Sequence, residues 1–507
     1  MDSMNSPARR HTALACSPAG SLFKVKRPIV GARVAPPINV CHWPLRCPVP
    51  ATVSRKDLNI KAFPSNARDK DLAKFCSGEG ALWYSGLCCD ANPEIGPILP
   101  WVHQLLWLKV LRITNCQNAE GDIADICKWL VGLTHLELGA TSPSIAAVSV
   151  VRRLTSTDSF LGANASRVSD DDEDAVAMRL HWIEGDISCL KMLKNLLVIN
   201  LSMTTVEGDI GVLEGCLAVK SVKMQGCVNI RGSIAIFRWT KNLEVCMLGS
   251  TMVQGDIEAF RETTKLETLD LSLTKTKGSL DLLMRTPDLV SLNLKNTSCE
   301  GTIENAEYSP RLFSCILDGV RAITGSIKVF QHTPGLTLLG LSETSCYGDI
   351  RVFQFTPKVR VVRLAQGAAF KKTSSSKATV GNRIRPFEAP KATLDVHGSI
   401  EVFKWTPFLR VLSLHATSCN GDVKVFQQTP RIKYLNLNGT RVSGNVSVFQ
   451  FTRMVTSVNL WRTQVHGDLG VFRMARHLVS LILAHSQVQG DIEALRFALP
   501  NCSTVLI

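Results

Sequence analysis

Residues 434–456 read YLNLNGTRVSGNVSVFQFTRMVT, and the same pattern returns down most of the chain. Leu435 and Leu437 lie nine and seven residues before Gly444, Thr440 four before and Val442 two before, and Phe449 follows five after. The matching glycines are Gly121, Gly185, Gly208, Gly232, Gly255, Gly278, Gly301, Gly325, Gly348, Gly398, Gly421, Gly444, Gly467 and Gly490. Their spacing is 23 or 24 from Gly185 to Gly348 and 23 from Gly398 to Gly490, with gaps of 64 after Gly121 and 50 after Gly348. A fixed period in the twenties means a solenoid, in which each turn packs only on its neighbours. One such turn buries too few apolar side chains to offset the entropy of ordering it. A single continuous array is therefore expected.

The Leu-x-Leu alternation puts every second side chain on one face, as in a strand. After the glycine the apolar spacing shortens to Ile or Val, then Phe three residues on. That suits a 3₁₀ or irregular turn better than a full helix. Glycine serves the corner, and Thr-Pro, as at Thr429-Pro430, starts the return.

The unit L-x-L-x-x-T-x-V-x-G-D-I-x-x-F-x-x-T-P resembles a leucine-rich repeat, and in particular the plant-type subclass. The G-D-I-x-V-F-Q-x-T-P form also resembles tandem repeats abundant in predicted dinoflagellate proteins. The resemblance covers roughly residues 108–507 and implies a right-handed α/β solenoid of about fourteen turns. Parallel strands would line its concave side and short 3₁₀ or irregular turns its convex side. It also implies that the side chain at the family's asparagine position points inward and bonds the loop backbone. Here that column is mostly threonine, as at Thr204, Thr251, Thr274, Thr344 and Thr440. Val320 and Gly367 have no group for that bond, so looser turns are expected there.

Composition narrows the rest. The 507 residues are 45% hydrophobic with a net charge of +14. Residues 1–75 hold 13 Lys+Arg against 4 Asp+Glu, and 370–391 hold 6 against 1. The basicity thus sits on a tail and a loop, and the array is near neutral. A nucleic-acid-binding array would carry a basic stripe of its own. The 17 cysteines form no C-x-x-C pair, and Cys299, Cys346 and Cys419 fall in an inward repeat column. They read as buried free thiols and fit a reducing, intracellular setting, with the cytoplasm as the expected compartment. No run of 18 apolar residues suggests a membrane span.

Residues 1–75 are expected to be a disordered basic leader, with plastid or mitochondrial targeting as the functional reading. Residues 76–107 are expected to cap the array. Insertions are expected at about 142–181, with the acidic run Ser169–Asp174, and at about 365–393, with the basic cluster. Val505-Leu506-Ile507 falls inside a strand pattern, so the sequence breaks off there or its end pairs with another molecule.

No catalytic constellation emerges, and none of the nucleotide, zinc-protease or serine-hydrolase motifs is present. The expectation is therefore a chain that is not an enzyme and needs no cofactor or metal. The Asp column after the glycines (Asp122, Asp186, Asp209, Asp256, Asp349, Asp422, Asp468, Asp491) could stack carboxylates for calcium. Ser, Thr and Asn interrupt it, and that set favours turn capping. The exposed strand positions, which the family uses for partners, lie ten, eight, six and five before each glycine. Toward the C-terminal end they bring together His415, Tyr434, Asn436, Asn438, Asn459, Trp461, Arg462 and His485. Aromatic residues and arginine dominate binding hot spots. The expected function is a non-enzymatic protein-interaction scaffold binding there. The alternative is nucleic-acid binding through the basic tail and the 370–391 loop.

Overall fold

The computed structural model describes residues 60–63, most of 85–140, 182–366 and 395–506, with Ala67, Asp71, Lys74 and Phe75 besides. Each turn starts with a short strand, three residues long through most of the array. Tyr434–Asn436 pairs in parallel with Val411–Ser413 on one side and Ser457–Asn459 on the other. Among the described residues, seventeen strands, from Ile60–Phe63 to Thr504–Leu506, form one long parallel sheet. The first of these lies inside the stretch expected as leader, and it pairs with Gly86–Asp90. The sheet register runs straight across both long glycine gaps, since Leu136 pairs with Ile199 and Val362 with Leu412.

The sequence spacing placed strands on one side of the turn only. The structure has a second parallel sheet of twelve strands, from Glu207–Asp209 to Gln487–Gln489. Its cause is the period-two series through the glycine. In Arg441–Asn445, Val442 and Gly444 are buried, and Val446 is buried two residues on. Gly444 has φ of 112°, and a Cβ there would collide with the Asp422 carboxylate of the preceding turn. Glycine is thus required by close approach as well as by backbone conformation.

The residue after each glycine then caps a 3₁₀ turn. Asp422 Oδ1 accepts from Lys424 N at 2.8 Å, and Asn445 Oδ1 from Ser447 N at 2.8 Å. Ser399 Oγ does the same for Glu401 N at 3.3 Å. Any short acceptor serves, which is why Ser, Thr and Asn interrupt the Asp column. Two turns differ from the 3₁₀ expectation. Ile123–Trp129 and Ile492–Ala498 are α-helical, and the second is capped by Asp491 accepting from Ala494 N, three residues on.

The core lies between the two sheets and the helical turns. A column of phenylalanines stacks along it: Phe449 lies 5.2 Å from Phe472 and 6.4 Å from Phe426, ring to ring. Phe353 and Phe403 stack at 5.7 Å across the 50-residue glycine gap. Two threonine columns line this core. The first behaves as the family resemblance implies: Thr440 Oγ1 donates to Leu437 O at 2.6 Å, and Thr204, Thr251 and Thr274 repeat the bond. The second is the Thr of Thr-Pro, fully buried, with Thr406 Oγ1 donating to Phe403 O at 2.9 Å. Val320 does not loosen its turn. It is buried, and its backbone N–H donates to Leu317 O at 3.1 Å, as Thr440 N does to Leu437 O at 3.2 Å. The backbone bond closes the corner, and the hydroxyl only adds to it. Gly367 lies outside the described residues.

Cys299, Cys346 and Cys419 are buried free thiols. Burial pushes the first two up to about 11 and Cys419 up to about 12, which keeps them protonated and unreactive.

Candidate interaction surface

The outer face of the long sheet is built from residues that alternate with the buried leucines. Tyr434 and Asn436 lie on one strand and Asn459 on the next. His415, Asn438 and Trp461 do not lie on strands, as their spacing had suggested. Each sits two residues past a strand end, and Arg462 and His485 sit three past. In two of these corners an asparagine side chain adds a bond to the backbone. Asn436 Oδ1 accepts from Asn438 N at 3.2 Å, and Asn459 Oδ1 from Trp461 N at 3.1 Å. These side-chain turns bend the chain away from the sheet. The next residue is left-handed in turn after turn; φ is 53° at Arg462, 62° at His485 and 70° at Gly439. Asn436 and Asn459 therefore have a structural role besides any contact they offer.

The eight residues fall into two groups on neighbouring turns. In the first, Ser413 Oγ lies 3.1 Å and Asn436 Nδ2 3.3 Å from His415 Nδ1, and Asn436 Nδ2 also donates to the Tyr434 hydroxyl at 3.4 Å. Burial holds His415 below its ordinary range, against the opposing pull of Glu343. A neutral ring accepting at Nδ1 fits these donors. In the second group the Arg462 guanidinium lies 4.2 Å from the Trp461 ring centre, and His485 meets that ring edge-on at 5.8 Å. Trp461 is half-buried, and Arg462 and His485 are exposed. Asn438 is half-buried beside them.

Sequence reading missed a set of buried charges on the same face. Asp270 Oδ1 accepts from Ser272 N at 2.9 Å and Ser272 Oγ at 2.7 Å; its Oδ2 takes Gln225 Nε2 and Asn293 Nδ2. Asp318 lies 3.6 Å from Arg363, and Arg112 donates to Glu137 at 2.9 Å. Burial pushes both aspartates above the usual carboxylate range. The signal was available: Arg112 and Glu137 occupy one repeat column a single turn apart. Among the described residues, no group of three His, Cys, Asp or Glu could hold a metal ion. None of their helices is long and apolar enough to cross a membrane. The basic stretch 370–391, the acidic run at 169–174 and the leader up to residue 59 lie outside the described residues.

No protein-family model and no curated protein matches the sequence. Solved structures do. The chain is similar to a TDR receptor, with a TM-score of 0.55 at 13% identity, over 87% of this chain and 71% of that one. It is similar to the Arabidopsis receptor kinase HAESA, solved with the peptide hormone IDA and the co-receptor SERK1 (TM-score 0.53, 17% identity, 89% of this chain and 63% of that one). It is also similar to the plant peptide hormone receptor RGFR1, solved with RGF2, at a TM-score of 0.52, 15% identity, and 83% and 63% coverage. The chain thus spans about two thirds of the length of these structures, and identities this low speak to the fold alone. With its parallel strand ladder, short helical turns and inward threonine column, the chain is a leucine-rich-repeat solenoid.

Proposed function

We propose that this solenoid is a non-enzymatic scaffold that holds a protein or peptide partner on the outer, concave side of its long sheet, around Tyr434, Trp461, Arg462 and His485. The observation that carries this reading is Trp461, an aromatic ring at the sheet edge held between a guanidinium at 4.2 Å and an imidazole at 5.8 Å. A large, pre-positioned aromatic with a cation beside it presents hot-spot chemistry at low entropic cost. The neighbouring neutral His415 and the Tyr434 hydroxyl supply polar contacts without a buried charge. Two of the similar solenoids were solved with peptide ligands, which supports a binding role for this fold.

The test is affinity capture from native extract, nuclease-treated, with wild type and Trp461→Ala/Arg462→Ala side by side. A protein retained by wild type and lost by the variant supports the reading. Equal capture by both, or capture abolished by nuclease alone, sinks it.

A further inference from the structure

The helical turns carry a second surface. In most of these turns the last residue points to solvent; Phe260, which ends the short turn Ile257–Phe260, is buried. From Ile350–Phe355 to Leu469–Met474 that residue is Phe355, Trp405, Gln428, Phe451 and Met474 in succession. The four apolar ones are 48%, 55%, 48% and 53% exposed. Phe408 and Met454, three residues on in their turns, are exposed as well. Turns repeat at about 5 Å, so these side chains form a strip roughly 20 Å long. Gln428 interrupts the strip once, and exposed apolar side chains grouped this closely mark an interaction site.

Its surroundings are basic. Residues 347–366 and 395–506 hold 15 Lys+Arg and 7 Asp+Glu, whereas 182–346 hold 16 and 18. The near-neutral array is therefore polarised along its length. Four of the seven acids, Asp349, Asp422, Asp468 and Asp491, are engaged as turn caps, and Glu493 pairs with Arg496. Arg351, Lys404, Arg431, Arg453, Arg473 and Arg476 are exposed in or just after the helical turns.

Cations also cover ring faces. Lys404 Nζ lies 5.2 Å over Trp405, and the Arg431 guanidinium lies 5.2 Å over Phe408. A single-stranded nucleic acid would need those faces for base stacking. Exposed rings with Lys and Arg alongside suit a bilayer interface instead. There the apolar bodies sit at headgroup depth and the cations reach lipid phosphates. We propose that this strip docks the solenoid peripherally on an anionic lipid surface. The inference is independent of the partner site on the long sheet.

The test is co-sedimentation of the full chain with phosphatidylcholine vesicles, with and without phosphatidylserine. Binding is expected only with phosphatidylserine. Trp405→Ala/Phe451→Ala/Met474→Ala should weaken it by about tenfold or more. Arg473→Glu/Arg476→Glu, which leaves the apolar strip intact, should do the same. Both variants replace exposed residues, and unchanged denaturation midpoints separate lost docking from lost folding. No vesicle binding by wild type, or equal binding by wild type and both variants, overturns the proposal. Retention of poly(U) through these residues in place of vesicles would assign the strip to nucleic acid and overturn it too.

Discussion

Gly444 and Asp422 show how tightly single positions are specified. The glycine has φ of 112° and lies against the carboxylate that caps the preceding turn. Gly444→Ala should cost about 2 kcal/mol or more, from backbone strain and the clash together. Asp422→Ala alone should cost about 1 kcal/mol for the lost cap. The double variant should be less destabilised than the sum, because removing the carboxylate makes room for the new methyl. Urea denaturation of all four proteins checks this, and strict additivity would refute the contact. His415 gives a second test. Its folded form resists protonation, while the unfolded chain takes up protons below about pH 6.5. The stability it contributes is thus full above that pH and is lost as pH falls. Wild type should lose more stability than His415→Gln between about pH 7.5 and 5.5. Asp270 and Asp318, pushed up by burial, act in the opposite sense, so the histidine effect is the difference between the two proteins. The Asp column was legible from sequence as caps because Ser and Asn replaced it freely. Asp270 was not legible, since its partners Gln225 and Asn293 lie two turns to one side and one to the other.

Short elements here borrow their stability from stacking. A three-residue strand or a six-residue 3₁₀ turn has no independent existence, yet Phe449 is buried and its ring stacks with Phe426 and Phe472. Phe449→Ala should cost about 3–5 kcal/mol and Phe449→Leu much less, since leucine refills most of the volume. Equal losses in thermal denaturation would mean the column is not close-packed. The long sheet was readable from Leu-x-Leu. The second sheet was hidden because one of its inward positions is a glycine, which leaves no side chain to show the period. The strand ends were misplaced as well: the strands stop at Ser413, Asn436, Asn459 and Ile482 alike, whatever the residue, and the amide oxygens of the two asparagines bond the corner that follows.

Seventeen paired strands and a core that runs unbroken through both glycine gaps make the array behave as nearest neighbours in a row. Backbone amides between about residues 230 and 340 should therefore exchange most slowly, with protection falling toward both ends. Uniform protection measured by mass spectrometry would contradict this. The period alone made the solenoid legible. The uneven charge along it was not, because the acidic excess of residues 76–141 and 182–346, 19 Lys+Arg against 25 Asp+Glu, offsets most of the basic excess beyond them. The partner surface can be probed most directly by hydrogen exchange of the full chain with and without the protein it captures. Binding at the long sheet predicts slowed exchange in the corners at 414–417, 437–440, 460–463 and 483–486, with the helical turns at 400–405 and 446–451 unchanged. Slowing confined to those helical turns, or to residues 1–75, would contradict a scaffold that works through Trp461 and its neighbours.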